Sequence, residues 1–247
     1  MIDCLVLGET WVTRAVAKRL DTRAFPLSRA EGHLAQHSLV VHADTCPNLD
    51  NPLGAWRWVL RTAALRCLFH SHHWIQCSSP YVVAGAGHQR PYSASAERRP
   101  LGLEGEVMAA LEWCLLSLGH QTTIVRPSLL YDADLPNGLL RWAIGAVEAG
   151  VCQVPSTISS PTPVTSFAKA VARLARTRDV GIYHAACQGQ ASHGDIVRET
   201  AACLDMPAPT MVGSHSVPFN LSLTSTTRLG HWKTVLWEKL TDLTKGS

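Results

Sequence analysis

Two polar clusters directly follow apolar runs and carry side chains suited to acid, base or nucleophilic chemistry. His42, Asp44 and Cys46 begin where the run SLVVH ends, and Ser79 follows the run WIQCS. Residues two apart in an extended segment point to the same side, so the first three side chains can reach one face. The spacing predicts that they act with Ser79 in catalysis without redox chemistry. The alternatives are a structural histidine at a strand end and an ordinary serine turn before a proline.

The first turn of the chain has the form of a dinucleotide-binding turn but lacks two of its glycines. An apolar run ends at Gly8, and the later glycine positions hold Trp11 and Arg14. The second glycine lets the backbone approach a pyrophosphate, and the third lets helix and strand pack closely. Gly8, Trp11, Arg14 and Ser78 are therefore candidates for a degenerate cofactor site, in which the indole either plugs the pocket or stacks on a planar ligand. We expect no nicotinamide cofactor, with NADP(H) as the alternative.

Strand-like and helix-like patterns alternate around these side chains. The predicted strands span residues 2–7, 24–27, 38–42, 74–78, 122–126 and 181–186. The predicted helices span residues 11–20, 53–69, 103–118, 139–149 and 164–175, with one C-terminal helix from about residue 231. A further helix, ending near Cys203, is capped by Ser192 with Asp195 as the capping-box partner.

This alternation predicts an α/β fold with a Rossmann-like, doubly wound, mostly parallel sheet. Few residues separate the second and third predicted strands, so we expect the sheet to be trimmed at its early edge. We expect one domain over residues 1–247, in which residues about 132–163 and 187–230 contribute to a smaller substrate-side lobe. Ligands of such sheets bind outside the carboxyl ends of the strands, where both polar clusters fall.

Composition restricts the partners that we expect. The net charge of +3 is too small to favour nucleic acid, and no apolar run has the length of a membrane span. The widely spaced cysteines and the absence of a signal peptide favour the cytoplasm. The sequence HSHH at residues 70–73 is interpreted as an exposed turn, and no metal is expected. A small-molecule ligand is expected, with a partner enzyme or a second copy of the chain as further possibilities.

A series of short segments resembles the extended short-chain dehydrogenase/reductase superfamily, and within it dTDP-4-dehydrorhamnose reductases and related sugar-nucleotide-binding proteins. The segments are LVVHADT (39–45), CSSPYVVAG (77–85), PYS (91–93), LEGE (103–106), VRPSLLYD (125–132), SSPTPVTSFAKAVARL (159–174) and GIYHAAC (181–187). The resemblance implies a Rossmann fold and puts Ser79 at the catalytic Ser/Thr position. The polar residues that it places toward a sugar nucleotide are Tyr81, Arg126, Ser128, Asn137 and Thr162.

The chain departs from this family in its redox residues. The family's Tyr-x3-Lys pair supplies an acid/base tyrosine and a lysine that lowers its pKa. No tyrosine of this chain has a lysine four residues later, and no lysine occurs between Lys18 and Lys169. The stretch before LEGE that should carry the pair is absent. Tyr92, on the loop after the Ser79 segment, is a candidate surrogate acid.

Three functions remain open from the sequence. The main expectation is a non-redox homologue that uses the cleft to bind a small molecule, for a cyclisation, elimination or other rearrangement in biosynthesis or for a regulatory role. The first alternative is a divergent NADPH-dependent reductase of a 4-keto sugar nucleotide. The second is an interaction subunit with a filled cleft.

Overall fold

A computed structural model describes residues 3–34, 36–44, 49–84, 91–119, 121–132, 135, 138–213 and 220–245 of the chain. The helices are α1 (Trp11–Leu20), α2 (Glu31–Leu34), α3 (Pro52–Leu68), α4 (Gly102–Leu118), α5 (Leu139–Ala149), α6 (Val164–Thr177), α7 (His193–Cys203) and α8 (Trp232–Lys245). The strands are β1 (Leu5–Leu7), β2 (Ala24–Phe25), β3 (Leu39–His42), β4 (His73–Cys77), β5 (Thr122–Pro127), β6 (Leu130–Tyr131), β7 (Val151–Val154), β8 (Ile158–Ser159), β9 (Thr162–Pro163), β10 (Gly181–Ala185), β11 (Ala191–Ser192) and β12 (Thr210–Gly213).

Six strands form one parallel sheet in the order β10-β5-β4-β3-β1-β2. The strand order reverses between β1 and β3, and the register pairs Leu7 with His42. Ligand crevices of open parallel sheets form at such a reversal, outside the carboxyl ends of the strands. The register therefore places Gly8 and Asp44 side by side at the expected crevice.

Apolar clusters cover both faces of this sheet. On one face α1 and α6 pack together, and on the other α3 and α4 pack together. A third cluster joins α5, α7 and α8 beside the sheet. The expected Rossmann-like fold with a mostly parallel, doubly covered sheet is confirmed.

Most predicted elements are present with bounds shifted by one or two residues. The 11–20 and 139–149 helices have the predicted bounds, and Ser192 and Asp195 form the predicted capping box. The first strand is shorter than predicted, and a one-turn helix, α2, fits between β2 and β3. The segment after β4, predicted as loop, begins with a 3₁₀ turn at Pro80–Val82. The pairs β6–β9, β7–β12 and β8–β11 were not predicted, because two of them are only two residues long and no periodicity can reveal them.

In the part of the chain that the structure describes, no helix is both long and apolar enough to cross a membrane.

Candidate functional site

A cleft opens at the carboxyl ends of β4 and β5, next to the first residue of α1. Its volume is about 180 Å³. The side chains that line it come from the start of α1, the turn after β4, the first turn of α4, the end of β5 and a late segment. They are Trp11, Val12, Ser78, Ser79, Pro80, Tyr81, Glu104, Pro127, Ser128, Leu129, Leu130 and Leu221. The cleft is thus a mostly apolar notch with a few polar groups on one wall, as is typical of ligand sites.

Ser79 and Glu104 form a hydrogen-bonded pair in this polar wall. Ser79 Oγ donates to Glu104 Oε1 over 2.5 Å and accepts a hydrogen bond from the Tyr81 N–H over 3.3 Å. Burial raises the pKa of the Glu104 carboxyl, and the hydrogen bond from Ser79 opposes the shift only in part. In the described part of the chain, no salt bridge engages Glu104. The Glu104 carboxyl therefore binds a proton more readily than an exposed glutamate does.

Tyr81 lies on the same wall. Burial, and then the charge of Glu104, raise the pKa of its phenol above the ordinary value. Because a proton donor works best when its pKa is close to the working pH, both effects move Tyr81 away from that role. Tyr81 is better suited to contact a ligand than to exchange protons with it.

A second carboxylate, Glu112 on α4, lies behind the cleft and is fully buried. It accepts hydrogen bonds from Arg126 Nε and Nη2 over 2.8 and 2.6 Å, from Ser78 Oγ over 2.6 Å and from Arg98 Nε over 3.2 Å. A buried ion pair of this kind requires each partner to be satisfied by the other. The guanidinium of Arg126, which was predicted to bind substrate, is fully buried and paired with Glu112.

The N-terminus of α1 already holds an anion, the carboxylate of Asp44. Asp44 Oδ1 accepts hydrogen bonds from the Glu9 and Thr10 N–H groups over 2.9 and 3.1 Å, and from Thr13 Oγ1 over 2.9 Å. Gly8 has a φ of 131°, and a Cβ there would lie 2.5 Å from Asp44 Oδ1. The glycine thus gives an acidic group access to helix donors that commonly bind phosphate. These hydrogen-bond donors could also bind a phosphate of a dinucleotide. Asp44 would compete with that phosphate for the same donors.

The other residues predicted for a cofactor are Trp11, Arg14 and Ser78. Trp11 is half-buried and forms one wall of the cleft. Arg14 is exposed and donates from Nη1 to the Glu9 carbonyl over 3.4 Å, so it points along its own helix. Ser78 lines the cleft, but its hydroxyl is directed to Glu112.

The predicted group of His42, Asp44 and Cys46 with Ser79 does not assemble. His42 is fully buried, its Nδ1 lies 2.9 Å from Gln76 Oε1, and its ring packs against two tryptophans. Burial lowers the pKa of His42. Asp44 lies past the end of β3, where strand alternation no longer fixes its direction, and it turns to α1. Cys46 lies outside the described residues.

Tyr92 does not reach the cleft either. Its hydroxyl donates to the Ala84 carbonyl over 3.4 Å, and its ring is buried in the cluster between the sheet and α3 and α4. The phenol of Tyr92, suggested as a surrogate acid, thus bonds to a backbone carbonyl and does not line the cleft.

The remaining predicted substrate residues have mainly structural contacts. Ser128 lines the cleft, and its hydroxyl donates to the Leu221 carbonyl over 2.7 Å and accepts from the Ser160 N–H over 2.9 Å. Thr162 is fully buried and bonds to backbone groups, which removes it from any ligand. Asn137 lies outside the described residues.

The histidines of the HSHH segment are not arranged around a common point. His73 begins β4, is buried and has Nε2 3.0 Å from Thr123 Oγ1, whereas His72 stacks edge-on against Phe69. Among the described residues, no group of three or more His, Cys, Asp or Glu side chains could hold a metal ion.

The fold and a family match define a protein of the extended short-chain dehydrogenase/reductase class. The family model of the RmlD substrate binding domain matches residues 58–233, which is more than half of the chain. The chain belongs to this family.

A curated relative and several solved structures are similar to the chain. The dTDP-4-keto-6-deoxy-D-glucose reductase of Streptomyces niveus is 28% identical over 142 residues, which are 57% of this chain and 49% of the relative. The chain thus matches about half the length of that relative. A dTDP-4-dehydrorhamnose reductase from Clostridium acetobutylicum has a TM-score of 0.80 at 17% identity, covering 98% of this chain and 99% of the other. The enzyme of that name from Bacillus anthracis, solved in complex with NADP, has a TM-score of 0.78 at 16% identity and coverage of 97% and 98%.

These comparisons correct the expectation about cofactors. The prediction of no nicotinamide cofactor is wrong, since a reductase of the same fold is solved with NADP and the curated relative is a reductase. They also favour the reductase alternative over the non-redox activity.

Sequence reasoning missed the two glutamates of α4. Glu104 stands in LEGE where the family segment has alanine, and this departure was the available signal. Glu112 carried no sequence signal, because its partners lie at separations of 14 and 34 residues.

Proposed function

We propose that the chain is a divergent NADP(H)-dependent reductase that acts on the keto group of a 4-keto sugar nucleotide. Membership of the RmlD family supports this, together with the reductase names of the curated relative and of the structural neighbours. The NADP in the Bacillus anthracis enzyme supports the choice of cofactor.

The observation that carries the proposal is the shared wall of the cleft. Trp11, the first residue of α1, and Ser79, two residues after the end of β4, line the same cavity. The anion-binding N–H groups of Glu9 and Thr10 come just before Trp11 in the chain, and the Thr13 hydroxyl follows two residues after it. Trp11 thus lies next to phosphate-type donors in the chain and shares the cleft with a hydroxyl that can hold a carbonyl oxygen.

The chain's own groups have distinct tasks in this reaction. NADPH, when bound, supplies the hydride that reduces the keto carbon. The donors at the start of α1 hold one of its phosphates after Asp44 has moved away from them. Ser79 donates its hydroxyl proton in a hydrogen bond to the keto oxygen, and Ser128 holds the Leu221 segment as part of the wall.

The size of the cavity fits one end of such a substrate. Its volume of about 180 Å³ is below the ~300–1,000 Å³ of pockets that enclose a whole drug-sized ligand. The reacting sugar occupies the enclosed part, and the nucleotide extends beyond it.

Turnover of dTDP-4-keto-6-deoxy-D-glucose tests the proposal. Purified protein is mixed with NADPH and this substrate, NADPH absorbance is followed, and the product is analysed by mass spectrometry. The proposal predicts NADPH oxidation that depends on the sugar nucleotide and a product heavier by two hydrogen atoms. Absence of oxidation at saturating NADPH and substrate would contradict it.

A further inference from the structure

In the proposed reaction the cleft holds the keto group of the substrate. The chain lacks the Tyr-x3-Lys pair that the family uses for proton transfer. Of the two tyrosines considered above, Tyr92 is directed to the Ala84 carbonyl and Tyr81 has a raised phenol pKa. Reduction of a ketone still requires a proton at the oxygen. The proton donor therefore has to be sought among the other polar groups that line the cleft.

Local packing of α4 brings Glu104 to Ser79. A Cβ at Gly105 would lie 2.6 Å from the Tyr81 carbonyl oxygen, so only glycine permits this approach of helix and turn. The Leu101 N–H donates to that same carbonyl over 2.9 Å and fixes the start of α4 against the turn. The neighbouring residue, Glu104, then places Oε1 2.5 Å from Ser79 Oγ.

We propose that Glu104 is the catalytic acid of this site and delivers its proton to the substrate's keto oxygen through the Ser79 hydroxyl. This role rests on the reductase function proposed above. It assigns to a carboxyl group the task that the missing tyrosine has in related enzymes.

The hydrogen-bonding capacity of Ser79 matches this relay. A hydroxyl accepts two hydrogen bonds and donates one. In the structure Ser79 Oγ accepts from the Tyr81 N–H and donates to Glu104 Oε1. When Glu104 is protonated, this second hydrogen bond reverses, and the carboxyl donates to the remaining lone pair of Ser79 Oγ. The single Ser79 proton is then free to point to the keto oxygen.

The transfer balances in electrons and protons. The keto carbon accepts a hydride from the reduced nicotinamide, and the C=O π pair moves to the oxygen. That oxygen takes the Ser79 proton while Ser79 takes the Glu104 proton. The product is an alcohol, the nicotinamide is left oxidised, and the Glu104 carboxylate regains a proton from solvent.

The charged surroundings of Glu104 agree with a protonated carboxyl. Tyr81 faces it from the 3₁₀ turn, and Arg126 on β5 is held by Glu112. On α3, Arg57 and Arg61 are exposed, and Arg66 contacts Gly119, beyond the far end of α4. Gly119 follows Glu104 by 15 residues, so Arg66 lies roughly 22 Å from Glu104 along the helix. Burial is thus the main influence on the pKa of the Glu104 carboxyl. It raises this pKa toward neutral pH, where a general acid is most effective.

The test compares Glu104→Gln with Glu106→Gln, an exposed glutamate one position beyond Gly105. Glutamine keeps the shape and accepts the Ser79 hydrogen bond but has no proton to transfer. We expect the turnover of dTDP-4-keto-6-deoxy-D-glucose with NADPH to fall ~100- to 10,000-fold in Glu104→Gln, the range typical of general acids. Binding of dTDP, measured by calorimetry, and the melting temperature stay close to wild type, and Glu106→Gln keeps full turnover.

A second measurement determines the pKa of Glu104 in the absence of substrate and turnover. Carbon-13 NMR of protein labelled at the glutamate carboxyls follows each titration, and the signal absent from Glu104→Gln identifies Glu104. A midpoint well above the ordinary glutamate value of ~4.3 is expected. A midpoint at or below that value would overturn the role of Glu104.

The outcomes for the two proposals differ. Wild-type turnover that Glu104→Gln retains within about threefold overturns the acid role and leaves the reductase function standing. Wild-type protein that oxidises no NADPH overturns the reductase function and the acid role together.

Discussion

Two carboxylates at the carboxyl edge of the sheet have opposite surroundings. Asp44 accepts hydrogen bonds from two backbone N–H groups and a threonine hydroxyl at the start of α1. Glu104 accepts one, from a hydroxyl of the cleft wall, and burial raises its pKa. The first carboxylate neutralises helix donors, whereas the second has no cation among its described partners. The comparison shows that helix donors satisfy one carboxylate, whereas the other is partly buried with a single hydrogen-bond donor.

Glu112 is a third carboxylate of this region and is completely buried. It is paired with Arg126 and Arg98, which supply the partners that a buried charge requires. The difference between Glu112 and Glu104, both on α4, is the arginine pairing rather than the depth of burial alone. Substitutions at Arg126, Ser79 and Asp44 change these three environments one at a time.

The largest effect is expected when the partner of Glu112 is removed. Arg126→Met leaves a buried carboxylate with only its weaker partners, so the free energy of unfolding should fall by ~3–5 kcal/mol. Urea unfolding measures it. Arg99→Met is the matched control, because Arg99 and its partner Glu97 are exposed and such pairs contribute only ~0–1 kcal/mol. Equal losses in the two variants would contradict a structural role for the buried pair.

The next largest effect is expected at Ser79. Ser79→Ala removes the hydrogen-bond donor to the keto oxygen and interrupts the path from Glu104, so kcat should fall by ~100-fold or more. The same NADPH assay measures it, with Ser93→Ala as a control on an exposed serine. The variant should bind dTDP normally, and a loss confined to dTDP affinity would show that Ser79 only binds the ligand.

A gain of binding is expected at the other carboxylate. Asp44→Ala removes the anion that competes for the α1 donors, and NADPH should bind about tenfold more tightly, since hydrogen bonds to a charged group contribute ~1.5–3 kcal/mol each. Asp50→Ala, at an exposed aspartate, is the control. Weaker NADPH binding in Asp44→Ala would mean that Asp44 supports the cofactor instead of excluding it.

The smallest effect is a pH dependence of the rate. Only protonated Glu104 can donate, so kcat/KM for reduction should be constant at low pH and fall as pH rises through the raised pKa of this carboxyl. The reverse reaction, oxidation of the alcohol, needs the carboxylate and should rise over the same range. Asp44→Ala should leave the midpoint unchanged. A pH profile that is the same in Glu104→Gln and wild type would assign the midpoint to another group.

The sequence was sufficient to predict the main helices and strands and two residues of the cleft wall. The apolar runs and helical spacing predicted α1 and α5 with their bounds, and the segment CSSPYVVAG led to Ser79 and Tyr81 in the cleft wall. These features depend on local periodicity and on short motifs, which a single sequence contains.

The partners of the polar groups were not predictable. His42 and Asp44 were expected on one side, but strand alternation ends with β3 and the two side chains go to different elements. Glu104 reaches Ser79 across 25 residues only because Gly105 lets α4 approach the turn. Such contacts depend on tertiary packing, for which no spacing rule exists.

The central claim is that this chain still binds a nicotinamide dinucleotide in the crevice beside Trp11. The most direct measurement is a titration with NADPH that follows quenching of tryptophan fluorescence and energy transfer to the nicotinamide. Trp11→Phe and the exposed Trp113→Phe are read in parallel. We predict saturable binding, with an energy-transfer signal that Trp11→Phe loses and Trp113→Phe keeps. No binding by wild type and by Asp44→Ala at millimolar NADPH would contradict the account.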